Sequence, residues 1–161
     1  MLRCYFVGLC VGSVIDAESN NMTLFGMVEG FQVLPPFDPD SVTAFQCHAY
    51  LEIDQPVPVA PVEELKFDVR FVWCDPANVS SPAIENLVVV PMTKSRMRVR
   101  GVGTKLPPTP GYYRLCVEWR KHETVSDWIR APQGWPVEIS AIAAGALDTG
   151  GLIISPIVTH V

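Results

Sequence analysis

Lys94, Arg96, Arg98 and Arg100 stand two residues apart in the stretch KSRMRVR. Alternate side chains of an extended strand share a face, so the four cations would line a stripe about 20 Å long at about 3.3 Å per residue. Such a row has the chemistry to hold phosphates or acidic side chains. These four residues are therefore the candidate ligand site, for a phosphate, a nucleotide or a nucleic acid. The competing expectation is that the cations guard an edge strand or pair with acids elsewhere in the chain. That expectation is preferred, because the pI of about 5.1 and the lack of a stacking aromatic among the four do not match the footprint of a nucleic-acid binder.

Other reactive side chains form no constellation. His48, His122 and His160 have no mutual spacing suited to a metal or a proton relay, and they read as surface histidines. Cys47 beside His48 and Cys74 beside Asp75 look like nucleophile and base, but neighbours on a strand point to opposite faces and cannot act together. No Gly-rich phosphate loop, G-x-S-x-G elbow or H-E-x-x-H helix is present. Asn21-Met22-Thr23 and Asn78-Val79-Ser80 match the glycosylation sequon, yet they fall where turns are expected. No catalytic residue, metal site or cofactor is assigned.

The strands that must carry these residues are legible by their period. In EELKFDVRFVW, Leu65, Phe67, Val69, Phe71 and Trp73 alternate with Glu64, Lys66, Asp68 and Arg70. TAFQCHAYLEI places Phe45, Cys47, Ala49, Leu51 and Ile53 against Gln46, His48, Tyr50 and Glu52, and GYYRLCVEWR places Tyr113, Leu115, Val117 and Trp119 against Arg114, Cys116, Glu118 and Arg120. Period two means one core face and one wet face. Residues 84–90, 95–102, 125–130 and 135–140 are further strand candidates. Fifteen prolines leave few windows for a helix, and LPPFDPDS, QPVPVAPVEE, CDPANVSSPA and RKHETVSD read as loops and bends. Eight or nine such strands describe an all-β fold, a two-sheet antiparallel sandwich of immunoglobulin-like type.

The opening MLRCYFVGLCVGSVIDAE reads either as a secretion signal or as a first strand. Gly8 and Gly12 interrupt its apolar run, no A-x-A-like site precedes Asp16, and a polar turn followed by MTLFGMVEGFQV suggests a hairpin. A strand is expected, with Tyr5, Val7, Leu9 and Val11 on one face. Cys4, Phe6, Gly8, Cys10 and Gly12 make a smooth second face that must be covered by the other sheet, by the tail or by another chain.

Charge is unevenly spread. Residues 1–93 carry three basic and twelve acidic side chains, while residues 94–130 carry nine basic and three acidic. Offsetting cross-strand pairs within one fold are the expected outcome. Only 18% of residues are charged against a usual share of about 25%, which suggests covered or self-associating surface. Five cysteines without a close pair read as free thiols of a reducing compartment.

The segment LFGMVEGFQVLPPFDP and the later PGYYRLCVEWR resemble a family of short prokaryotic β-sandwich proteins known only as a domain of unknown function. The resemblance spans residues 3–140, supports the fold and implies no activity. Residues 1–140 are thus expected to form the sandwich, and residues 141–161 an apolar tail packed on its own sheet or on a partner. That tail contains Asp148, Gly150, Gly151 and Pro156, which argue against a membrane helix. The expected function is non-enzymatic: a cytoplasmic protein acting through association, as a homo-oligomer or as a subunit of a larger assembly. Polyanion binding through residues 94–100 is the alternative.

Overall fold

A computed structural model describes residues 2–34, 36–53, 65–84, 88–92 and 96–142. Lys94, His160, the Pro-rich stretch 55–64 and the tail from residue 143 onward lie outside the described residues. Among the described residues eleven strands run in order: β1 (Leu2–Ile15), β2 (Met22–Met27), β3 (Gly30–Val33), β4 (Val42–Ile53), β5 (Leu65–Cys74), β6 (Ser80–Pro82), β7 (Val88–Met92), β8 (Arg96–Lys105), β9 (Gly111–Lys121), β10 (Ile129–Arg130) and β11 (Trp135–Ala141). There is no helix among the described residues.

The strands form two sheets. One has the order β2-β1-β4-β8, and the other β3-β11-β9-β5-β6, with β7 also on β5 and β10 also on β9. Eleven strands appear where the pattern predicts eight or nine because two lanes are broken: β6 and β7 share one edge of β5, and β10 and β11 share one edge of β9.

The expectation of purely antiparallel sheets is corrected at one edge. β3 and β11 are parallel, with Gly30 opposite Glu138 and Val33 opposite Ala141. β3 enters the second sheet from β2 of the first, so no hairpin forces it to run against its neighbour.

Both sheets turn their apolar faces into one core. Val69, Phe71 and Trp73 of β5 and Leu115, Val117 and Trp119 of β9 bury against Val7 and Leu9 of β1, Cys47, Ala49 and Leu51 of β4, and Val99 of β8. Each such large side chain contributes about 1.5–3 kcal/mol on burial. The core-edge indoles also satisfy their polar groups across the layers. Trp73 Nε1 donates to the Lys105 carbonyl (2.7 Å), and Trp135 Nε1 donates to the Val28 carbonyl (2.7 Å).

The first strand departs from simple alternation. Its register with β4 shifts between Cys4 and Phe6, so Leu2 and Cys4 join Val7 and Leu9 in the core, while Tyr5 is 55% exposed. One extra residue in a bulge reverses the facing of everything before it. The smooth face of Gly8, Cys10 and Gly12 is covered by the hairpin itself. A Cβ on Gly8 would meet the Phe6 ring at 2.6 Å and Met27 Cε at 2.8 Å, and a Cβ on Gly12 would meet the Phe25 ring.

Acids of the first half pair with cations of the second. Glu52 meets Arg96 (2.9 Å), Asp68 meets Arg120 (3.0 Å) and Asp40 meets Lys105 (3.8 Å). The charge asymmetry of the sequence is thus spent in part inside the fold.

Candidate functional site

β8 carries the basic stripe, and its register against β4 decides what surrounds it. Arg96 lies opposite Glu52, Arg98 opposite Tyr50, and Arg100 opposite His48. One strand further, Arg3 is opposite Glu52, Phe6 opposite Tyr50 and Gly8 opposite His48. Two of the three described cations have partners within the fold. Arg96 Nε donates to Glu52 Oε1. Arg98 Nη2 donates to Asn20 through both its carbonyl (2.7 Å) and its side-chain Oδ1 (2.8 Å). Arg100 makes no hydrogen bond or ion pair among the described residues. Arg96 and Arg98 are therefore engaged within the fold, and Lys94 lies outside the described residues.

Glu52 is a hub. A hydrogen bond from the Tyr5 hydroxyl, then one from Arg96, hold its carboxyl below the usual value, and the same carboxylate holds the Arg96 guanidinium above its own.

The contact between Arg98 and Asn20 reports the course of the first hairpin. Phe6 stands two strands from Arg98, and β1 runs about 30 Å from Phe6 to Ile15 if straight, far beyond the reach of an arginine. The hairpin therefore curls back until its turn lies on the outer face of the four-stranded sheet. Asn20 takes a left-handed backbone there (φ 55°), which asparagine tolerates better than most residues. Between hairpin and sheet lies a cleft of about 350 Å³, lined by Phe6, Tyr50, Arg98, Asn20 and Asn21, with Met22 and Leu24 at its side.

His48 is also corrected. It reads as a wet surface residue, yet it is 1% exposed, with Nε2 3.3 Å from Gln46 Oε1. Burial, followed by the charge of Arg100, pulls its imidazole below the ordinary value. Period two identified the outer face correctly but carried no sign that another part of the chain would cover it.

The seven-stranded sheet bears a second polar cluster that spacing along one strand could not reveal. Asp68 is opposite Arg120 and Arg70 opposite Glu118. Glu118, 3% exposed, accepts from Arg70 Nε (2.8 Å) on one oxygen and from Arg130 Nε (2.9 Å) on the other. Asp68, 4% exposed, accepts from Arg120 (3.0 Å) and lies 2.5 Å from His122 Nδ1. Burial alone would raise the Asp68 carboxyl, but the bonds from His122 and Arg120 outweigh it and hold the group below its ordinary value. Trp128 lies over this cluster, and His122 has a structural partner rather than a free surface.

The five cysteines are free and buried. Burial pushes the Cys47 thiol up to about 12, and burial followed by the neighbouring Cys74 does the same to Cys116. Thiols so disfavoured as thiolates are poor nucleophiles. Among the described residues, no three His, Cys, Asp or Glu side chains gather to hold a metal, and no helix is long and apolar enough to cross a membrane.

The molecule is thus an all-β protein of two facing sheets. Compared with known proteins, it matches no family model and no curated relative.

Proposed function

We propose that the chain is an immunoglobulin-like β-sandwich domain of the cytoplasm that works by associating with protein, as a homo-oligomer or as a subunit of a larger assembly, and not by catalysis. Strand order supports the immunoglobulin-like part: β1-β4-β8 faces β11-β9-β5, and β3 lies parallel on the outer side of β11. Tyr113, near the start of β9, donates its hydroxyl to the Thr109 carbonyl (2.9 Å). That bond resembles the tyrosine corner recurrent in such sandwiches. Kinship with the short prokaryotic sandwich family rests on the segments that form β2, β3 and β9. The buried free thiols suit a reducing compartment.

The observation that carries association is the apolar surface of the first hairpin. On the paired strands β1 and β2, Val14 and Phe25 share one face and Val11 and Ile15 the other, and all four are 46–57% exposed. Exposed apolar side chains on both faces of one hairpin suit contact with another chain. Native mass spectrometry of the full chain from its host tests the reading, beside a V14S/I15S/F25S variant. An oligomer or a bound partner that the variant loses is expected. A monomer without partner, identical in both proteins, would overturn it.

A further inference from the structure

We propose that the cleft under the curled hairpin binds a nucleoside monophosphate, with the base against Tyr50 and Phe6 and the phosphate on Arg98. The inference goes beyond the association reading, which rests on Val11, Val14, Ile15 and Phe25, residues that do not line the cleft.

Three observations converge on this ligand. The first is the lining. Among the described residues lining the cleft, Arg98 is the one that is charged, and two half-buried aromatic rings stand beside it. A cation next to flat rings is the pairing that an anionic group on a planar base requires, through charge-assisted bonds at one end and stacking at the other. Spacing along β8 alone shows no aromatic near the cations. The aromatics come from β4 and β1, through the register that sets Tyr50 between Arg98 and Phe6.

The second is unspent bonding capacity. Both bonds from Arg98 to Asn20 use Nη2. The donors on Nε and Nη1 make no hydrogen bond among the described residues, so the guanidinium is held in place while part of its fork stays open. Asn21 lines the same cleft, and its amide offers both a donor and an acceptor to the edge of a base.

The third is size and field. A volume of about 350 Å³ is at the small end of ligand sites and fits one nucleotide. Arg100 flanks Arg98 on the same strand face without an ion pair among the described residues, and its positive potential favours a phosphate over a neutral group, whereas the charge of Arg96 is offset by Glu52. A free nucleotide and the 5′-terminal nucleotide of a single strand offer the same chemistry.

Calorimetric titration of the full chain tests the site with AMP, adenosine, inorganic phosphate and a 5′-phosphorylated single-stranded oligonucleotide. AMP is expected to bind, and adenosine or phosphate alone to bind at least about tenfold more weakly. Tyr50→Leu, which leaves the bonds between Arg98 and Asn20 in place, should weaken AMP about tenfold with the melting temperature held. Arg98→Gln should weaken it at least as much. An oligonucleotide tighter than AMP identifies a strand terminus as the source, and equal affinity identifies a free nucleotide. The proposal is overturned if no nucleotide-containing probe binds at millimolar concentration, if adenosine binds as well as AMP, or if both variants, folded, bind AMP as the parent does. None of these outcomes depends on the oligomeric state, so the association reading stands or falls separately.

Discussion

The guanidinium carbon of Arg70 lies 4.0 Å from the centroid of the Trp128 ring. Arg120 stands against the same ring at 4.6 Å, so one indole holds two cations whose other atoms serve Glu118 and Asp68. Trp128 thereby fastens the segment between β9 and β10 to the sheet. Replacing it with alanine should cost about 1–3 kcal/mol, from lost cation–π contact and packing. Urea denaturation reads this directly, and an unchanged midpoint would remove the stack from the account of stability.

Glu118 is expected to be the most sensitive charged position. Glu118→Ala leaves Arg70 and Arg130 facing each other with no carboxylate between them, and because both arginines keep about a third of their surface in water the loss should be about 1–3 kcal/mol. Glu52→Ala removes the partner of an Arg96 side chain that is 63% exposed, and the loss should be much smaller. Comparing the two midpoints under one set of conditions checks the ranking.

The acid response should have two separable parts. Asp68 is depressed in the folded protein, so its contribution is present above the ordinary aspartate value of about 3.9 and is lost as pH falls through the lower folded value. His48 is also depressed, and the unfolded chain takes up its proton first. Stability therefore falls as pH drops below the ordinary histidine value of about 6.5 toward the folded one. Denaturation midpoints from pH 7 to pH 3 should show both limbs, with Asp68→Asn removing the lower one and His48→Gln the upper one.

Gly101 faces the core without a side chain because Ile84 fills that space, and a Cβ there would strike the end of the Ile84 side chain. Gly101→Ala should destabilise by about 1–3 kcal/mol through overpacking. Adding Ile84→Val, which removes the colliding methyl, should recover part of that loss. A double variant no better than Gly101→Ala alone would place the strain elsewhere.

The parts of the fold legible in the sequence are those set by local period. Alternation assigned Val69, Phe71, Trp73, Leu115 and Val117 to the core, and Asp68, Arg70, Glu118 and Arg120 to the other face, as the structure has them. Alternation says nothing about which strand lies beside which. The pairing of Arg70 with Glu118 spans 48 residues and that of Arg98 with Asn20 spans 78, so neither the charged cluster nor the cleft could be read from spacing along one strand. The bulge at Cys4/Phe6 was equally silent, since an inserted residue keeps the same composition while exchanging the faces.

The parallel seam between β3 and β11 also sets an order of events in time. Residues 30–33 can find residues 138–141 only after nearly all of the described chain has been made. Until then β3 must wait with an open edge, while the local pairs β1 with β2 and β5 with β6 are free to close early. Both ladders of β11, with β3 and with β9, therefore become available only at the end of that synthesis. A growing chain stalled before that point would expose an unpaired strand edge, the feature most prone to capture by another copy.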